Sequence, residues 1–136
     1  MIRRRLPPAL AERLAAFRRV VAAIDAGKEA LLASVPTTRL EGRPIAETLV
    51  VYEAALREAG GGMDAWRAPE LEEAWTAAAA GLAEARALAE RVRLEAAAPV
   101  GFEALVGLIG DLLAPLDAFE AAAERFSALR RRRGAR

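Results

Sequence analysis

Apolar side chains recur at steps of three and four along every long segment of the chain. Leu10, Leu14, Phe17, Val21, Ile24, Leu31 and Val35 form one series, with Lys28 in its single polar slot. Ile45, Leu49, Tyr52 and Leu56 form a second, and Leu71, Trp75, Ala78, Leu82, Ala85, Ala89 and Val92 a third. Leu105, Ile109, Leu112, Leu116, Phe119, Ala123 and Phe126 form the fourth. This spacing gathers side chains on one face of a helix, and nothing alternates with period two for long. The pattern therefore predicts helices packed on helices and no sheet.

Proline and glycine divide the series. Pro7 and Pro8 suit a first helical turn, and Pro36 is expected to stop the first helix, giving a span of about 8–34. Gly27 inside it either weakens the helix or admits a close neighbour. The stretch from Pro36 to Arg43 reads as an ordered loop, Pro44 opens a second helix, and Gly60, Gly61 and Gly62 break it. Asp64 is placed to cap a short turn before Pro69. A third helix is expected over about 69–97 and a last one over about 102–132, kinked at 110–113 because Pro115 lies inside it. The fold class that follows is all-α: a four-helix bundle, mostly antiparallel, with a shorter second helix and a kinked last one. The 136 residues fit one domain, its body at about 8–130 between short arginine-rich tails.

Composition narrows the chemistry. There is no cysteine and no histidine, which removes disulfides, thiolate chemistry, the usual proton shuttle and the commonest transition-metal ligand. Alanine fills about a quarter of the chain, so helices can approach closely, but the larger side chains must supply most of the buried area. Such a bundle gains from burying further surface in a dimer. The net charge of +1 conceals a division: residues 6–129 carry 12 basic and 19 acidic side chains, while the two ends hold eight arginines. An acidic body does not suit a dedicated nucleic-acid reader, though the tails are able to touch phosphate weakly and nonspecifically. Charges interrupt every long apolar run, so no membrane span or secretory signal is expected, and the cytoplasm is the expected location.

Candidate chemistry is sparse. Glu70 and Glu73 share a helical face at i,i+3 and are weak candidates for a metal pair, but the second acidic pair that a magnesium site would need is missing. As first-turn acids they equally suit the helix dipole. Gly107, Gly110 and Pro115 suggest either a pocket beside Asp111 or tight packing with a kink. Lys28, at a core-phase position, either snorkels outward, pairs with an acid such as Asp111, or anchors an anion. Arg39, Arg43, Tyr52, Trp66 and Arg67 make a possible polar patch able to grip a carboxylate or phosphate, against a simpler role in stapling loops.

No glycine-rich phosphate loop, catalytic constellation or cofactor signature is present. The leading functional expectation is a non-catalytic helical protein that binds another protein, itself a homodimer. The alternatives are a small-molecule sensor or carrier with a pocket between helices, and a metal-dependent hydrolase built on helix carboxylates.

Overall fold

The computed structural model describes residues 6–41, 45–95 and 102–134. Five α-helices and three short 3-10 turns make four rods: α1 (Pro8–Glu41), α2 (Ala46–Gly61), α3 (Glu72–Glu95), and a last rod in two pieces, α4 (Phe102–Leu113) and α5 (Asp117–Gly134). The 3-10 turn Ala114–Leu116 joins the two pieces at Pro115. Proline offers no N–H to the preceding turn, so the rod bends where the ladder is interrupted. The break falls slightly after the stretch 110–113 where the sequence places it.

Three pairs of contacts show that successive rods run antiparallel. Gly27 of α1 lies beside Ala55 and Tyr52 of α2, while Gly62, just past α2, lies beside Val20. Glu53, midway along α2, pairs with Arg93, late in α3, while Gly60 near the end of α2 lies beside the earlier Leu82 and Arg86. Gly81 of α3 abuts Pro115 and Ala118, whereas the earlier Glu73 reaches the later Arg125. α1 packs on α2, α2 on α3, α3 on α5 and on the Pro115 turn, and α1 closes the ring against α4.

Two boundaries differ from the sequence reading. α1 continues through Pro36 to Glu41, so this proline does not end the helix. Its fixed φ is already helical, and it subtracts one hydrogen bond without dictating a stop. α2 likewise runs through Gly60 and Gly61, and Gly62 takes φ −99° and ψ 0°, a backbone conformation that needs no glycine, although a Cβ there would meet Val20. The chain then turns through Met63–Trp66, extends at Arg67 and Ala68, and enters α3 by a 3-10 turn opened by Pro69. Extended backbone at Ala68 is what a following proline favours.

The core follows the four series closely. Leu10, Leu14, Phe17, Ile24, Leu31, Ile45, Leu49, Tyr52, Leu56, Leu71, Ala78, Leu82, Ala85, Ala89, Leu105, Ile109, Leu112, Leu116, Phe119 and Phe126 are all buried. Val21, Trp75 and Val92 are only partly covered. In α5 the buried alanine is Ala122, and Ala123 is exposed. Both positions border the stripe set by Phe119 and Phe126. Ala123 turns toward α1, and there the two helices scarcely approach each other.

Candidate functional site

The candidate ligand residues fall in separate places. Tyr52 is buried, and its hydroxyl donates a 2.9 Å hydrogen bond to the Leu112 carbonyl across the bundle. That carbonyl lies three residues before Pro115, where a tight turn would have used the missing N–H. Burial raises the Tyr52 pKa to about 12, since the phenolate would lose its hydration.

Trp66 is also buried, but toward the other end of the molecule. It packs edge-on against Phe17 at 4.8 Å between centroids and lies 6.3 Å and 6.4 Å from Phe119 and Phe126. Phe17 and the Gly27 beside Tyr52 are separated by about 15 Å of helix rise. The Trp66 indole N–H has no hydrogen-bond partner among the described residues.

Arg67 is exposed and grips Glu72 through two bonds of 2.7 Å and 3.2 Å. Its guanidinium also lies 4.0 Å from the centre of the Trp75 ring. The hydrogen bond to Glu72 raises the Arg67 pKa, and the same bond lowers that of Glu72. Trp75 in turn donates its indole N–H to the Met63 carbonyl at 2.9 Å. The group pins the turn Met63–Trp66 to the start of α3.

Lys28 is half-buried and Asp111 exposed, and no ion pair joins them among the described residues. Arg39 stands in the last turns of α1, its side chain outside the described residues, and Arg43 lies outside them altogether. Glu70 and Glu73 are exposed, Glu73 within 3.5 Å of Arg125. Among the described residues no group of three or more metal-ligating side chains comes together, and no helix is long and apolar enough to cross a membrane. Gly107 and Gly110 have open space where a Cβ would stand, so neither borders a tight contact or a pocket wall.

Two features absent from the sequence reading stand out on the surface. The first is an apolar end. Leu32, Val50, Val51, Leu94 and Val106 are each at least half exposed. They lie late in α1, early in α2, late in α3 and early in α4, which in an antiparallel bundle is one and the same end. The sequence does carry a signal for some of them. In the run Leu49-Val50-Val51, successive residues turn by about 100°, so one core face cannot take all three.

The second feature is a cleft of about 230 Å³ between α1 and α5. Phe17 and Phe126, 5.4 Å apart between centroids, are among its apolar lining, and Arg18 and Arg130 line it from opposite helices. Comparison with protein-family models, with curated proteins and with solved structures gave no significant match, so the functional reading rests on these surfaces.

Proposed function

We propose that this small all-helical protein is a non-catalytic interaction module that pairs with a second copy of itself through the apolar end. The observation that carries the reading is the gathering of Leu32, Val50, Val51, Leu94 and Val106 at one end of the bundle. Isolated exposed apolar residues are ordinary, whereas five drawn from four rods toward one end make that end the favoured place for a partner.

Charge at this end is of both signs. Lys28 and Arg91 are interspersed there with Glu29, Glu47, Glu95 and Glu103, a mixed surface that tolerates a two-fold copy of itself. The far end of α5 carries exposed Arg130, Arg131 and Arg132, and a copy facing it would meet like charge.

Sedimentation velocity over a range of concentrations tests the proposal. The wild-type chain is expected to double in mass as concentration rises through the micromolar range, and V51E/L94E to remain a monomer with unchanged helicity. Wild-type protein that stays monomeric at concentrations far above micromolar defeats the reading.

A further inference from the structure

We propose that the cleft between α1 and α5 binds a small amphipathic carboxylate, its apolar body against Val21 and Ala123 over Phe17 and Phe126, and its head between Arg18 and Arg130.

The cleft exists because the bundle is closed unevenly. α1 packs along α2 and against α4, but α1 and α5 scarcely approach each other backbone to backbone. Trp66 packs beside the place where Phe17 meets Phe126, 4.8 Å from Phe17 and 6.3 Å and 6.4 Å from Phe119 and Phe126. Phe17 and Phe126 are almost wholly buried and already packed at a tilt against each other, with Phe17 edge-on to the indole. An apolar ligand therefore meets a floor ordered before it arrives, so little side-chain entropy is lost on binding.

The lips supply the charge. Arg18 follows Phe17 on α1, Arg130 stands one turn after Phe126 on α5, and the Ser127 hydroxyl lies between them along α5. Among the described residues, the guanidinium groups of Arg67, Arg93 and Arg125 pair with glutamates, while Arg18 and Arg130 have no carboxylate within 4.0 Å. Two guanidinium groups that meet no carboxylate among the described residues, above an aromatic floor, complement an anion joined to an apolar body, and the planar fork of arginine matches a carboxylate. At about 230 Å³ the space is below that of ordinary ligand pockets and takes a short chain or a single ring.

This site is far from the apolar end, and its occupancy does not depend on self-pairing. Calorimetric titration of the full chain with octanoate, and separately with octanol, tests it, using wild type, R18Q/R130Q and V51E/L94E. Octanoate is expected to bind the wild type saturably, one molecule per chain, and octanol at least about tenfold more weakly. R18Q/R130Q is expected to lose about tenfold or more toward octanoate and little toward octanol, while V51E/L94E binds octanoate as the wild type does. Both arginines are exposed, so the variant should keep its fold, and its far-ultraviolet circular dichroism checks this. Absence of saturable octanoate binding overturns the proposal. So does equal affinity for octanoate and octanol, and so does a loss in V51E/L94E instead of R18Q/R130Q.

Discussion

A Cβ on Gly81 would run into the carbonyl oxygen of Pro115, well inside contact distance. The obstacle is backbone, at the bend of the last rod, and cannot swing aside as a side chain would. Gly27 is a milder case: its Cβ would meet that of Ala55 at 2.9 Å. Gly107 and Gly110 face open space in α4, where alanine's better helix propensity acts unopposed. Gly81→Ala is therefore expected to destabilise by about 2–3 kcal/mol despite the propensity gain, and G107A and G110A each to stabilise by about 0.5–1 kcal/mol. Urea midpoints with unchanged slopes measure this directly. If G81A were as stable as the wild type, the close approach of α3 to the Pro115 turn would be of no consequence. Helix phase held part of this distinction. Gly81 lies three residues after Ala78 and four before Ala85, on the core stripe, whereas Gly107 and Gly110 lie off the stripe of Leu105, Ile109 and Leu112. The identity of the neighbour across the contact is not encoded locally, and reading Gly107 and Gly110 as close-approach sites failed for that reason.

Between α2 and α3 the chain spends ten residues, 62–71, in turns and extended backbone, and three side chains hold it down. Trp66 enters the aromatic core, Trp75 binds the Met63 carbonyl, and Arg67 bridges Glu72 and the Trp75 ring. These contributions are unequal. Removing a fully buried indole leaves a large cavity, whereas the arginine pair is solvent-exposed and screened. W66A is expected to lose about 3–5 kcal/mol, with W66F losing clearly less because the indole N–H has no partner among the described residues to forfeit. R67A should move the thermal midpoint far less than W66A. Equal damage from W66F and W66A would mean that the indole N–H is satisfied after all. The existence of this segment was legible in Gly60-Gly61-Gly62 and Pro69, and the bend of the last rod in Pro115. The continuation of α1 through Pro36 was not, because a proline removes one hydrogen bond without fixing whether the surrounding helix tolerates the loss.

Across the whole molecule, the periodic apolar series is enough to give four rods and most of their buried faces. The apolar end and the α1–α5 cleft are assembled from residues distant in sequence, so neither leaves a local signature. The same is true of the bond from Tyr52 on α2 to Leu112 on α4, which ties two rods across the core. Burial raises the Tyr52 pKa from its ordinary value of 10.0 to about 12, so below pH 10 the hydroxyl is protonated in both folded and unfolded chains. Between about pH 10 and 12 the unfolded chain releases this proton and the folded chain retains it. The unfolded state then binds fewer protons, and stability falls as pH rises through that window, by roughly 3 kcal/mol at most. Y52F should lose about 1–2 kcal/mol at neutral pH, because the Leu112 carbonyl is left without its donor. It should also lack this alkaline component, so subtracting its pH profile from the wild type isolates the contribution of Tyr52. Tyr52 is the chain's single tyrosine, which makes phenolate absorbance near 295 nm an unmixed reporter. In native protein the absorbance should stay low past pH 10 and rise only with unfolding or near pH 12. A free titration at pH 10 with helicity intact would show the hydroxyl to be open to water, and the bond between the two rods would have to be given up.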